Sequence, residues 1–163
     1  MKYDDPRLNL LVFFDHESAR YVRGVVEELG RTYPTLSVAE GEEINPNGMS
    51  LNPTRGQLDG EYLLNQLHGA HGAGLALWLV SGDVYHDGLN FVFGLAMDRE
   101  ALVSTYRLDA EELVAKEAVH EVGHLLGLAH CRYSCAMRFS NSLAEVMAKP
   151  RSLCAHCRQH IEG

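Results

Sequence analysis

Residues His120-Glu121-Val122-Gly123-His124-Leu125-Leu126-Gly127-Leu128-Ala129-His130 follow the pattern H-E-x-x-H-x-x-G-x-x-H. Histidines four apart share one face of a helix, separated by about 6 Å of rise, so both rings reach one metal ion. Glu121 projects roughly 100° round the axis from His120, beside that ion and not onto it. A carboxylate there takes a proton from a zinc-bound water without occupying a coordination position. Gly127 is the residue type that closes a helix in a left-handed turn, which swings His130 round as a third ligand. Three neutral imidazoles leave a fourth position for water, and zinc lowers that water's pKa to about 7. Glu121 then passes its proton to the leaving amine. The chemistry this predicts is hydrolysis of peptide bonds.

Four cysteines follow at once, as C-x3-C-x18-C-x2-C: Cys131, Cys135, Cys154 and Cys157. Two close pairs separated by a loop are the arrangement of a closed four-thiolate zinc site. Disulfides are the alternative, with three possible pairings. A structural zinc would replace the core that a segment this short cannot build for itself.

The elements that must position these groups are legible in outline. Leu8 to Phe14 and Thr35 to Ala39 read as strands, and Leu75 to Val80 as a strand covered on both faces. Between the first two lies a helix with Val22, Val25, Val26 and Leu29 at helical spacing, capped by Ser18 and ended at Gly30. Gly41 to Gly56, rich in Asn, Pro and Gly, reads as a long surface loop. Leu58, Leu63, Leu64 and Leu67 suggest a short helix that ends in the turn His68 to Gly74. Leu89 to Met97 and Ala101 to Tyr106 form a hairpin across Asp98-Arg99-Glu100. Asp109 with Glu112 makes a capping-box start for the motif helix, which runs to about Leu126. This order specifies an α/β fold: a mixed, mostly parallel twisted sheet with an antiparallel edge strand and helices packed on it.

At 163 residues the chain is expected to be one catalytic domain. Residues 1–130 would form the upper sheet and active-site helix, and 131–163 a small cysteine-anchored subdomain. The composition, 46% hydrophobic and 22% charged, is ordinary for a globular protein, and the net charge of −8 argues against nucleic acid as a partner. The acidic start Met1-Lys2-Tyr3-Asp4-Asp5 and the short apolar run after it are unlike a signal peptide, and no apolar stretch approaches a membrane span. A cytoplasmic protein with reduced thiols is the expectation, acting on peptide or protein substrates without a membrane partner. A monomer is expected, although no feature of the sequence sets the oligomeric state.

The His130-Cys131 junction, Cys135-Ala136-Met137 and the late C-x-x-C resemble the archaemetzincins, a branch of the metzincin clan of zinc metallopeptidases. That family's pattern is H-E-x-x-H-x-x-G-x-x-H-C-x4-C-x-M-x17-C-x-x-C. This chain has x3 between Cys131 and Cys135 and x16 between Met137 and Cys154, one residue shorter in each spacer. Asp83-Val84-Tyr85 and the segment Gly88 to Gly94 are also similar to the family. The resemblance implies a metzincin-like zincin with two zinc ions per chain. The catalytic ion would be held by His120, His124 and His130, and the structural one by Cys131, Cys135, Cys154 and Cys157. It further implies that Met137 forms the Met-turn beneath the metal, packing there without coordinating. An edge strand, with Leu89 to Met97 the candidate, would hold an extended peptide by strand addition. Some metzincins carry a metal-assisting tyrosine two residues past that methionine; here the position is Phe139. The competing reading is a non-catalytic, zinc-stabilised peptide- or protein-binding module whose catalytic metal site is weak or empty. His156 and His160 read as surface or helix-end residues, and His68 and His71 as incidental loop histidines. Asp83, Tyr85 and His86 are candidate cleft residues without an assigned role.

Overall fold

The computed structural model describes residues 9–162. The acidic start and Leu8, the first residue of the expected opening strand, lie outside them. In chain order the elements are β1 (Asn9–Phe14), α1 (Val22–Thr32), β2 (Ser37–Glu43), β3 (Leu51–Asn52), β4 (Gln57–Asp59), α2 (Gly60–Ala70), β5 (Leu75–Val80), β6 (Val84–Tyr85), β7 (Gly94–Met97), β8 (Glu100–Ser104), α3 (Glu111–Leu125), α4 (Leu143–Ala148) and α5 (Ala155–Glu162).

The main sheet has the order β2-β1-β5-β8-β7. Its first four strands run parallel, and β7 returns antiparallel along β8, pairing Leu95 with Leu102 and Ala96 with Ala101. The fold is therefore the mixed, mostly parallel α/β sheet with an antiparallel edge that the sequence implies. β5 sits at its centre, buried at every residue. Side chains alternate across a strand, so Leu75, Leu77 and Leu79 enter one core and Ala76, Trp78 and Val80 the other. Leu63, Leu64 and Leu67 of α2 cover the second face, while Val22, Val25 and Leu29 of α1 and Val114, Ala118 and Val122 of α3 cover the first. The first core continues into Cys135, Met137, Val146, Leu153 and Cys157, so the C-terminal segment packs on the same apolar mass. A helix buried between two layers needs no amphipathic stripe, and α3 is buried from Leu113 to Gly123.

Local differences from the sequence reading have physical causes. Asp15, not Ser18, caps the first helical segment: its carboxylate accepts from Ser18 N (3.1 Å) and is itself buried against Ser81. α1 passes through Gly30 to Thr32, because Leu29 and Tyr33 on either side are buried and hold the last turn. α3 begins after Ala110 with no side-chain cap. The hairpin turn is shorter than expected, Asp98 adopting a left-handed φ of 58°. Residues 89–93 are not ladder strand; only Val92 bridges, to Val84. The expected 41–56 loop starts inside β2 and folds partly into a three-stranded patch, β3-β4-β6, in which Leu58 is strand and not helix. Among the described residues no helix is long and apolar enough to cross a membrane.

Candidate metal centre

His120, His124 and His130 converge, each offering a ring nitrogen, with all three donor atoms within 4.8 Å of one another. The first two are set by the helix repeat, and the third depends on how the helix ends. Leu128 N donates to Gly123 O (2.9 Å) and Gly127 N to His124 O (3.0 Å), with Gly127 at φ 95°. This pair of bonds is the Schellman closure, which needs a left-handed residue. The reversal it makes carries His130 back over the helix, its ring centroid 5.3 Å from that of His120 and 4.8 Å from that of His124.

The hydrogen bonds of the first two rings fix their tautomers. His120 Nδ1 lies 2.8 Å from Ala136 O and His124 Nδ1 2.8 Å from Leu128 O. A carbonyl only accepts, so both Nδ1 atoms carry the proton and both Nε2 atoms present bare lone pairs. These two Nε2 atoms face each other 3.2 Å apart. Two acceptors this close repel unless a cation lies between them. A zinc–nitrogen bond of about 2.0–2.1 Å would bridge them at an angle of about 100°, close to tetrahedral. Burial, the first cause in each case, holds all three imidazoles below their usual pKa, His120 down to about 3, so they stay neutral donors. The donor set fits zinc.

Glu121 is buried on the same helix, and Gly94 of β7 lies against it. A Cβ at Gly94 would fall 2.6 Å from Glu121 Cγ. Burial, with the Glu117 carboxylate adding to it and Lys149 opposing it, raises the pKa of Glu121 well above the carboxylate range. A bound cation beside it would favour the ionised form. The cleft above these groups encloses about 550 Å³, walled by residues 89–96 on one side and by α3, Phe139, Ser140 and Asn141 on the other. Phe139 packs 5.2 Å from the His130 ring.

Cys131, Cys135, Cys154 and Cys157 form the second convergence, all donor atoms again within 4.8 Å. All four thiols are free, and Cys131 and Cys154 Sγ lie 3.8 Å apart, far beyond a disulfide bond. With zinc–sulfur bonds of about 2.3 Å, that separation also subtends a near-tetrahedral angle. The backbone N–H of Cys157 holds the Cys154 thiol down to about 7, while burial pushes Cys135 and Cys157 up.

The tripeptide Cys135-Ala136-Met137 serves both groups. Cys135 supplies a sulfur, Ala136 O orients His120, and Met137 O accepts from Cys131 N (2.9 Å). Met137 is fully buried, and its sulfur lies so close to Gly123 that a Cβ there would collide with it.

Other residues fall outside these two groups. Asp83, Tyr85 and His86 do not wall the cleft; Asp83 pairs with Arg107 at 2.8 Å, and Tyr85 lies under the Arg55 guanidinium. His68 and His71 are not incidental, since both bond the buried Glu100 (3.1 and 2.7 Å) and tie α2 to β8. Sequence reasoning missed Glu117 and its buried partner Lys149, 2.7 Å away, beneath the cleft. A buried Lys-Glu pair 32 positions apart leaves no local pattern. It also missed Gly94, although a glycine inside a strand is a signal of close backbone approach.

The model of peptidase family M54 matches residues 44–163. The chain is 40% identical over 147 residues to an archaemetzincin of Archaeoglobus fulgidus, covering 83% of this chain and 90% of that one. It is 45% identical over 111 residues to an archaemetzincin of Nanoarchaeum equitans, covering 68% of this chain and 65% of the relative's length. The crystal structure of archaemetzincin from Methanopyrus kandleri superposes with a TM-score of 0.87 at 32% identity, covering 98% of this chain and 96% of that one. That of the A. fulgidus protein, complexed with malonate, gives 0.85 at 31%, covering 93% and 98%.

Proposed function

The chain belongs to peptidase family M54, the archaemetzincins, a family of zinc metallopeptidases, and from that premise we propose that it hydrolyses peptide bonds in the cleft between β7 and α3. The observation that carries the reading is the pair of bare Nε2 atoms 3.2 Å apart, each fixed by a backbone carbonyl on the far side of its ring. His120, His124 and His130 would hold the catalytic zinc. When bound, zinc polarises the substrate carbonyl and acidifies water.

The rest of the work falls to the chain's own residues. Glu121 takes the proton of the attacking water and returns it to the leaving nitrogen, and its burial keeps that proton from bulk solvent. Gly94 leaves the room in which the Glu121 carboxylate sits beside the edge strand. Substrate would lie extended along β7, the outer strand of the main sheet, using the main-chain groups that face away from β8. Met137 packs beneath the histidines and fixes the turn that carries Ala136 O. Cys131, Cys135, Cys154 and Cys157 would hold a second, structural zinc, which makes residues 131–163 a zinc-stabilised subdomain of one catalytic domain with 1–130. Four thiols kept reduced for a metal suit the cytoplasm.

Zinc-loaded wild type and Glu121→Gln, assayed on a broad peptide library, test the reading. Wild type should cleave. The variant should lose about 10²–10⁴ of kcat at unchanged zinc content, the usual contribution of a positioned general base. Full zinc content with no cleavage of any peptide by wild type would contradict it and favour a non-catalytic, zinc-stabilised binding module.

A further inference from the structure

His156 and His160 stand four apart on α5, the spacing that brings His120 and His124 together on α3. Residues at i and i+4 share one helical face with Cβ atoms about 5–6 Å apart. On α3 that spacing places the Nε2 atoms 3.2 Å from each other. The difference is access. The α3 pair sits at the bottom of the cleft, whereas His156 and His160 are both exposed. They line an open pocket of about 770 Å³ whose other walls include His130, Cys131, Tyr133 and Cys157. Arg132 also lines it, its guanidinium 5.7 Å from the Tyr133 ring centroid. Cys131 and Cys157 belong to the four-thiol group, in which Cys135 and Cys157 are buried and Cys131 and Cys154 half-buried. The pocket therefore joins an exposed imidazole pair to the thiols.

We propose that His156 and His160 form a third metal site, a two-imidazole surface chelate that captures zinc and hands it through this pocket to the four thiols. Imidazole suits zinc, and two ligands with solvent filling the remaining positions bind weakly enough to release it. Transfer is ligand exchange: two nitrogen–metal bonds break as sulfur–metal bonds form, and each thiol that coordinates gives its proton to water. No group changes oxidation state. Delivery rests on the reading of the cysteines as a zinc site; the chelate itself does not.

The test uses the full chain, zinc-loaded and cobalt-loaded in parallel, and the double variant His156→Ala/His160→Ala, with His16→Ala as an exposed-histidine control. Zinc titration against a chromophoric chelator counts weakly held equivalents. Chain loaded instead with Co²⁺ shows a sulfur-to-cobalt absorption at the thiolate site, and the loss of that band on adding Zn²⁺ reports exchange. Wild type and the control should take up one more equivalent of zinc than the double variant, and should exchange cobalt several-fold faster. Equal zinc uptake would overturn the chelate. Equal exchange rates, with the absorption band present, would overturn delivery. Absence of that band in wild type would overturn the thiolate-zinc reading and delivery with it, while the zinc count would still decide the chelate.

Discussion

The two candidate metal groups are built in opposite ways. The histidine group stands on a single rigid helix that is buried on every side, with one further residue brought in by a Schellman turn. It opens upward into a cleft of about 550 Å³. The cysteine group has no such platform. Its members come from a loop, a turn and the first turn of α5, and two of the four are buried where no solvent ligand would reach. Three donors facing a cleft leave space for a substrate, whereas four donors closing on themselves leave none. The contrast shows where order comes from in each half. The helix exists through apolar burial and presents its ligands ready-made. The C-terminal segment packs on the apolar core through Met137, Val146 and Leu153 and draws four thiols together beside it.

Substitutions that strike one side of this contrast should separate them. After Glu121→Gln, the largest effect confined to the histidine side is expected from Gly94→Ala. The new Cβ would lie 2.6 Å from Glu121 Cγ and 2.7 Å from Oε1. Displacing a proton-transfer group by about 1 Å costs about 10²-fold in kcat. Zinc content should not change, which steady-state kinetics beside metal analysis would check. Next is Gly123→Ala, whose Cβ would collide with Met137 Sδ and fall 2.9 Å from Tyr33 Oη. Overpacking of this kind costs about 1–3 kcal/mol, readable by denaturant titration. Because Met137 adjoins both groups, this variant should loosen both.

A pH series on metal-free protein isolates the histidine side again. The pKa of His120 is lowered on folding, to about 3. The unfolded chain therefore binds a proton below about 6.5 that the folded chain refuses. Stability is unaffected above about pH 6.5 and falls by about 1.4 kcal/mol per pH unit beneath it from this group. Zinc should shift that loss to lower pH, since protons and metal compete for the same lone pairs. The smallest effect is expected from Tyr33→Phe, which removes the 2.6 Å bond to Val119 O and should cost about 0.5–1.5 kcal/mol with metal content intact.

What the sequence made legible was whatever is governed by short range. Two histidines and a glutamate at helical spacing, a glycine at the helix end and paired cysteines each have a mechanical meaning within a few residues; the structure draws the three histidines and the four cysteines into two groups and gives Gly127 a left-handed φ. The burial of Leu75 to Val80 was equally plain, because a central strand needs apolar residues on both faces. Several features were settled by contacts the sequence does not display. Asp15 rather than Ser18 caps the first helical segment because it is also held by Ser81, 66 positions away. Glu117 meets Lys149, and His68 and His71 meet Glu100, only once helices have docked. The Asn/Pro/Gly-rich stretch hid β3, and Leu58 of β4 read as helix, because two- and three-residue strands have no periodicity to read. The role of Ala136 was invisible, since it acts through a backbone carbonyl any residue would supply.

That carbonyl makes the central claim testable: the cysteine group positions the histidine group. Cys131 follows His130 directly, and Cys135 and Met137 flank the atom that orients His120. The decisive measurement is zinc affinity at the histidines in Cys154→Ser/Cys157→Ser, obtained by chelator competition and compared with wild type. On the proposed reading, a thiol site that no longer holds metal should free the Cys135-Ala136-Met137 turn and His130, weakening that affinity by about 10–100-fold, as removal of a ligand-orienting partner does. Unchanged affinity, with His120 and His124 binding as in wild type, would contradict the coupling.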